Sequence, residues 1–120
     1  MSTLAEQRDA ILTALRTVPA LHVHDSKPGT LGEGTTYVRW AGTGGGDGSA
    51  PAWWFDQWHV FIVLYGDDSV LESWTDTNLQ AVADALERVA PISVIAPVDL
   101  IIDVGSPATV PALRITCSRE

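Results

Sequence analysis

The sequence predicts an α+β fold, in which one mainly antiparallel sheet carries two helices on one of its faces. Two stretches repeat apolar residues at helical spacing, and several others alternate or are rich in β-branched and aromatic residues. The elements follow in the order helix, two strands, long loop, strand, helix and two or three further strands, which is typical of α+β proteins. With 120 residues, of which 46% are hydrophobic, the chain is expected to form a single domain, residues 1–120, around one core.

The first helix is predicted to begin at Thr3. Thr3 and Glu6 have the spacing of a capping box, in which each side chain accepts a hydrogen bond from the other residue's backbone, and an apolar series starts at Leu4. The members of this series that share one helical face are Leu4, Ile11, Leu12 and Leu15. Pro19 disfavours helical geometry in the residue before it, so the helix should end near Val18.

Two strands and two loops are predicted next. Residues 21–24 alternate polar and apolar side chains, residues 26–34 contain turn-forming Pro and Gly, and residues 35–40 are rich in strand-forming residues. Residues 41–52 are predicted to form a long flexible loop, because glycine loses much entropy on ordering and offers no side chain to a core. Loops of this length in compact domains are usually functional or disordered.

Residues 58–65 form the strongest predicted strand, and both of its faces are largely apolar. One face carries Trp58, Val60, Ile62 and Leu64, and the other carries His59, Phe61, Val63 and Tyr65. Such a strand is expected to be buried on both sides. The two helices cover one face of the sheet, so Phe61, Val63 and Tyr65 need another cover. Either the sheet curls over them or a neighbouring subunit packs there, which makes them a candidate interface.

The second half of the chain contains one predicted helix and up to three strands. A short turn is predicted over residues 69–74, followed by a helix over 76–89 in which Thr77 and Gln80 have capping-box spacing. Strands are predicted at residues 92–95, 98–104 and 112–118. In the last of these strands, Leu113, Ile115 and Cys117 face the core.

The acidic excess of the chain is concentrated in one region. The formal net charge is −8, and residues 56–103 contain nine acidic residues against the single basic residue Arg88. Such a surface keeps a protein soluble, faces a basic partner, or faces something that must not adhere to it. It argues against a dedicated nucleic-acid-binding protein, because those proteins carry basic patches. No apolar run approaches the ~18 residues of a membrane span, so no membrane association is expected.

Three histidines are the candidate metal ligands. His22 and His24 project from the same face of a predicted strand, and with His59 or Asp25 they have the residue types of a zinc site, which needs three or four converging ligands. This pattern leaves a metal-dependent enzyme open as an alternative. No second paired-ligand motif accompanies them, and an ordinary polar strand face accounts for them, so no metal is expected.

No catalytic signature occurs elsewhere in the sequence. Residues 42–48 are glycine-rich, but Pro51 and three aromatic residues follow where a phosphate-binding loop requires the start of a helix. Cys117 lies on the predicted core face of a strand and is expected to be a small buried hydrophobe. We therefore expect no catalytic residue, no cofactor and no enzymatic activity.

An aromatic cluster closes the glycine-rich loop. Trp53, Trp54 and Phe55 lie outside core positions, and aromatic residues dominate the energetics of protein interfaces. We predict that they anchor a protein–protein contact. The alternative is that the loop folds back and Trp53 or Trp54 caps the domain.

Six segments in a fixed order point to a family. They are the opening helix 3–18, the strand pair 21–40, the long loop 43–52, the apolar strand 58–65, the helix 76–89 and the closing strand 111–117. This order resembles that of the tail terminator proteins of long-tailed (siphovirus-type) bacteriophages. The resemblance covers nearly the whole chain as a pattern of elements, and the family has no catalytic motif to carry over.

The resemblance implies a structural virion protein. Six copies would form a ring, a homo-hexamer, that caps the finished tail tube, stops its growth and joins it to the head-side connector protein. The ring would lie at the head-proximal end of the tail, after assembly in the host cytoplasm. DNA would pass through its channel without sequence recognition, and acidic side chains facing the channel would repel the phosphate backbone.

The partners implied by the resemblance are further copies of this chain, the tail tube protein and the connector protein. The long loop would reach towards neighbours, so its aromatic end would contact another subunit or a tail partner. Two other functions stay open. One is the head-side stopper or connector, which shares small size and acidity with tail terminators. The other is a small acidic binding module, such as an immunity or inhibitor protein for a basic toxin.

Overall fold

The computed structural model describes residues 3–44, 55–101 and 108–119. Within these residues, two helices pack against one face of a single five-stranded sheet, which confirms the predicted α+β fold class. The helices are α1 (Leu4–Leu15) and α2 (Asp68–Glu87). The strands are β1 (His22–Val23), β2 (Thr35–Gly44), β3 (Phe55–Val63), β4 (Ile92–Ile101) and β5 (Thr109–Arg119).

The sheet has the strand order β1-β2-β3-β5-β4. β1 pairs with β2 in parallel, and the other pairings are antiparallel. The last strand in the chain, β5, therefore lies between β3 and β4, and β4 forms one edge of the sheet. The opposite edge is only partly covered, because β1 is two residues long and accompanies just the first part of β2.

The start of α1 is the predicted one. The Thr3 hydroxyl oxygen accepts a hydrogen bond from the Glu6 backbone N–H at 3.1 Å, and the Glu6 carboxylate accepts one from the Thr3 N–H at 3.2 Å. The helix ends at Leu15 rather than near Val18. The next residues form a tighter turn, in which the Val18 N–H donates to the Leu15 carbonyl at 3.0 Å, as helix ends commonly do.

The start of α2 was predicted wrongly. The expected turn over residues 69–74 and helix start near residue 76 are one continuous 20-residue helix. Asp67 caps it, because its carboxylate accepts hydrogen bonds from the Ser69 and Val70 backbone N–H groups. Thr77 lies inside the helix, where its hydroxyl donates to the Ser73 carbonyl at 2.9 Å. Thr hydroxyls use this alternative bond within helices, so capping-box spacing alone was misleading.

The two short strands predicted at residues 92–95 and 98–104 are also one element, β4, as far as Ile101. Pro97 does not interrupt the strand and pairs in register with Leu113. The reason is that β4 is an edge strand, where a residue without an N–H is tolerated. Residues 102–104 of the prediction lie outside the described residues.

The predicted glycine-rich loop begins later than expected. Residues 41–44 continue β2, and Gly44 pairs with Phe55. The register shifts between Trp40 and Gly42, where Gly42 has a φ of +121°, and a bulge of this kind keeps the strands paired beyond it. Residues 45–52 lie outside the described residues.

One core lies between the helices and the sheet. It contains the predicted inner face of β3, the predicted inner residues of β5 and apolar residues from both helices. Its members include Trp58, Val60, Ile62, Leu113, Ile115 and Cys117 from the strands, and Ile11, Leu12, Leu15, Val82 and Leu86 from the helices. The predicted orientation of both strands is therefore confirmed, because side chains alternate between the two faces of a strand.

Candidate functional site

The predicted aromatic anchor is only partly visible. Trp53 and Trp54 lie outside the described residues, whereas Phe55 is the half-buried first residue of β3. It lines an open cavity of about 410 Å³ together with Val89, Pro91, Ser118 and Arg119. Phe55 therefore enters the sheet beside a surface groove, and the role of Trp53, Trp54 and Phe55 as an interface anchor stays a prediction.

A buried hydrogen-bond bridge holds the β2–β3 hairpin against α1. Gln7 is 0% exposed; its side-chain amide accepts a hydrogen bond from the Trp58 indole N–H at 2.9 Å and donates to the Asp56 carboxylate at 2.8 Å. Thr43 on β2 donates to the other oxygen of Asp56. Of these two hydrogen bonds, the one from Thr43 has the larger effect on the pKa of Asp56, and the one from Gln7 follows. Both lower the pKa of the Asp56 carboxyl below its usual range, so the carboxylate stays charged.

Sequence reasoning missed this bridge, although a signal was present. Gln7 follows Leu4 by three positions and precedes Ile11 by four, so it lies on the apolar face of α1. A polar side chain at such a position needs a buried partner. Arg8 adds a second tie, because its guanidinium lies 5.3 Å from the centre of the Trp58 ring and donates to the Val38 carbonyl.

The outward face of β3 is covered by the chain itself. Phe61 is 8% exposed and Val63 is 0% exposed. The residues that cover them are Leu31, Tyr37 and Val110, with Val98 and Leu100 packed against these from β4. The Tyr37 and Phe61 rings stack with their centres 5.2 Å apart. Residues of the same chain thus cover Phe61 and Val63, and a contact of these side chains with a neighbouring subunit stays a prediction.

Tyr65 is the one member of that predicted interface that remains at the surface. It follows β3, is 43% exposed, and its hydroxyl donates to the Leu31 carbonyl. The bond ties the loop before β2 to the end of β3.

Basic side chains meet on the same outward face of the sheet. Arg39 on β2 pairs in register with His59 on β3, and Arg114 on β5 pairs with the neighbouring Phe61. Burial, and then the charges of Arg114 and Arg39, lower the pKa of His59. Lys27 lines a cavity of about 350 Å³ together with Arg39. We call Lys27, Arg39, His59 and Arg114 the basic face.

No carboxylate neutralises the basic face among the described residues. The ion pair that the described residues contain joins Arg16 to Asp25 at 2.6 Å and includes no member of the basic face. The side-chain Nε of Arg114 is buried without a hydrogen-bond partner. Sequence reasoning could not have found this cluster, because its members come from distant segments and meet only through the strand register.

The acidic excess lies largely on the other side of the molecule. α2 contains five acidic residues and no Lys or Arg. Asp68, Glu72 and Asp76 are exposed and spaced four residues apart, so they form a row along the helix that we call the acidic stripe. Like charges at this spacing destabilise a helix. The molecule therefore separates its charges, with an acidic helical layer and a basic outward sheet face.

The edge strand β4 exposes large apolar side chains. Val94 is 51% exposed, Ile95 37% and Ile101 55%. The strand is ten residues long and hydrogen-bonds only to β5 among the described strands. A long apolar edge strand is a template for pairing with another chain unless it is protected.

The candidate metal ligands do not converge. His22 is in β1 and His24 directly follows that strand. Val23 of β1 lies level with Ile62 of β3, two strands away, because both pair with Thr36 of β2. His59 is three residues further along β3 from Ile62. That separation is roughly 10 Å along the strands and about another 10 Å across them. In the described part of the chain no three His, Cys, Asp or Glu side chains form a metal-binding group.

The Cys117 thiol and the groove between the helices are two further features of the described residues. Burial, and then Glu87, raise the pKa of the Cys117 thiol to about 12, so the thiol stays protonated and unreactive at neutral pH. A groove of about 630 Å³ between α1 and α2 is lined by small residues, among them Ala10, Ala14, Ala81 and Ala85. No histidine, serine or cysteine lines it, and its polar lining residues include Thr13, Thr17, Asp9 and Asp84.

Comparisons with known proteins add no family to these observations. None of the helices in the described ranges has the length and apolar character needed to cross a bilayer. The chain matches no protein-family model, and no curated protein sequence is recognisably similar to it.

Proposed function

We propose that this protein is a structural subunit that assembles into a ring and terminates the tail of a long-tailed bacteriophage. The ring caps the tail tube and joins it to the head-side connector, and DNA passes through it without being read. The protein performs no catalysis in this role. Two observations support this function. The order of helices and strands resembles that of tail terminators, and the exposed β4 edge and the charged surfaces suit contacts between proteins.

The exposed apolar edge of β4 is the observation that carries the proposal. Isolated soluble domains protect such edges with charge, Pro, bulges or a covering loop. β4 contains one Pro, one charged residue and a register shift near its start, but Val94, Ile95 and Ile101 still expose apolar side chains along it. Among the described residues, the opposite sheet edge has no paired strand beyond β1, and Arg8 donates to the Val38 carbonyl there. A contact that uses different surfaces on its two sides repeats from copy to copy and closes into a ring when the rotation allows.

The β2–β3 hairpin supplies the arm that a tail terminator needs. Its two strands pair as far as Gly44 and Phe55, and the Gln7 bridge fixes the base of the hairpin against α1. A rigid base of this kind would aim the predicted anchor, Trp53, Trp54 and Phe55, at a neighbouring subunit or at the tail tube.

The test combines assembly with capping. Purified protein is examined by sedimentation velocity and by electron microscopy, alone and with tail tube protein. We expect rings of uniform diameter and tubes whose growth stops at a ring-bearing end. A Val94→Lys, Ile101→Lys variant should lose both properties, whereas Leu4→Lys, a substitution of an exposed apolar residue on α1 (40% exposed), should keep both. A wild-type protein that stays monomeric and leaves tube growth unchanged would overturn the proposal.

A second candidate function is favoured by one observation, the absence of any basic residue in α2 beside five acidic ones. An acidic helical face suits an inhibitor or immunity protein that covers a basic enzyme. This function predicts a tight one-to-one complex with a basic toxin, and its association rate should fall steeply with added salt. Ring formation by the protein alone would count against it.

A further inference from the structure

The acidic stripe has the properties of a contact surface. Asp68, Glu72 and Asp76 are all exposed, and no basic residue of the same helix neutralises them. α2 keeps these repulsive pairs despite their cost to the helix. An opposite charge supplied by another molecule would remove that cost.

The part of α2 that carries the stripe is only partly buried in the single chain. Its fully buried residues are Val82 and Leu86, both in the last third of the helix. Before them, Leu71, Trp74 and Leu79 are only partly buried, and Val70 is 41% exposed. The first two thirds of α2 therefore present both charge and apolar surface to a partner.

The basic face lies on the opposite side of the sheet. Val38, Val60 and Leu113 point towards the helices, so their sequence neighbours Arg39, His59 and Arg114 point away from them. Arg39 and Lys27 are exposed. The same chain thus carries two charged surfaces of opposite sign that cannot reach each other within one molecule.

We propose that the acidic stripe of one copy docks on the basic face of the next copy. The inference rests on the proposed ring-forming function and names the surfaces that join its subunits. A second copy fits better than nucleic acid, because the net charge of −8 repels a polyanion over the long range. Two different surfaces meet in this contact, so it propagates from copy to copy, as a ring requires.

Charge reversal on each surface, followed by mixing, tests the contact. The face variant carries Arg39→Glu and Arg114→Glu, and the stripe variant carries Glu72→Lys and Asp76→Lys. Each variant alone should sediment as a monomer, because like charges now meet at every contact. An equimolar mixture should restore assembly, because each surface again faces its opposite. The mixture restores a closed ring only for an even number of subunits, as in a hexamer.

Two controls separate this contact from general effects of charge. Asp9→Lys, on the exposed side of α1, and Arg88→Glu, just beyond α2, change the net charge but touch neither surface and should leave assembly at the wild-type level. Far-UV circular dichroism and thermal unfolding establish that every variant is folded. Restoration on mixing provides the same check, since unfolded variants cannot restore assembly.

The outcomes are distinguishable. If the wild-type protein forms rings and both folded variants do so alone, this inference is overturned while the proposed function stands. A mixture that stays monomeric, with both variants folded, also overturns it. A monomeric wild type that fails to cap tubes overturns the inference and the proposed function together. Duplex DNA that binds the wild type and not the face variant, with assembly intact in both, would assign the basic face to nucleic acid instead.

Discussion

Replacing Gln7 by leucine removes the centre of the bridge between α1 and the β2–β3 hairpin. The leucine keeps most of the apolar volume, so the change is chiefly one of hydrogen bonding. The Trp58 indole N–H, in a side chain that is 1% exposed, loses the acceptor that Gln7 provides. A buried donor left without a partner costs about 1–3 kcal/mol.

The other end of the bridge adds a smaller amount. Asp56 is half-buried and keeps the hydrogen bond from Thr43, so the lost bond from Gln7 contributes about 0.5–1.5 kcal/mol. We therefore expect Gln7→Leu to lower the free energy of unfolding by roughly 2–4 kcal/mol. In a domain of this size such a loss lowers Tm by roughly 10–20 °C.

Urea unfolding followed by tryptophan fluorescence measures this loss. Asp9→Leu, at an exposed position of the same helix, is the matched control and should change stability by less than about 0.5 kcal/mol. A double-mutant cycle with Trp58→Phe isolates the bridge, and we expect a coupling free energy of about 1–2 kcal/mol. A Gln7→Leu variant as stable as the control, or strictly additive effects in the cycle, would refute the reasoning.

Three further predictions concern single residues. The buried Cys117 thiol should resist a disulfide reagent at pH 8 until denaturant is added. The free energy of unfolding should fall as pH rises above 9.0, because the thiol of the unfolded chain ionises there while the folded thiol, whose pKa is about 12, stays protonated. Gly66→Ala should lower Tm more than Gly42→Ala. Both glycines have φ near +120°, so both substitutions strain the backbone. Only at Gly66 would the new Cβ also clash, since it would lie 2.8 Å from the Val70 side chain of α2, whereas the space at Gly42 is open. The lowered pKa of His59 means that the unfolded chain binds more protons below pH 6.5, so stability should fall on acidification; His59→Gln should flatten this fall, and His24→Gln should not.

The features that sequence predicted correctly are those decided by nearest neighbours along the chain. The capping box at Thr3 depends on one residue three positions away, and the two faces of β3 depend only on alternation. The inward direction of Ile115 and Cys117 follows from the same period. Such features survive because no tertiary partner is needed to specify them.

The predictions that failed each lacked information that the local pattern does not contain. Thr77 has the spacing of a cap, yet the Asp67 carboxylate caps the helix, and spacing alone does not choose between two local capping signals. Pro97 looks like a strand breaker until β4 is known to lie at an edge. Phe61 and Val63 are a different case, because the sequence left cover by the sheet and cover by a neighbouring subunit open, and alternation along one strand does not choose between them.

The separation of charge changes the meaning of the acidic excess. Residues 56–103 were expected to include side chains that face a channel and repel DNA, but a stripe docked on the next subunit cannot also line that channel. Salt distinguishes the two contributions to assembly. An ionic contact weakens as the Debye length falls from about 10 Å at 0.1 M to about 3 Å at 1 M salt, whereas burial of the apolar β4 edge does not depend on that screening. The wild type and the mixture of face and stripe variants rely on the same pairing of opposite charges, so salt should weaken assembly in both. A mixture whose assembly is unchanged at 1 M salt, beside a wild type whose assembly weakens, would be inconsistent with an ionic contact.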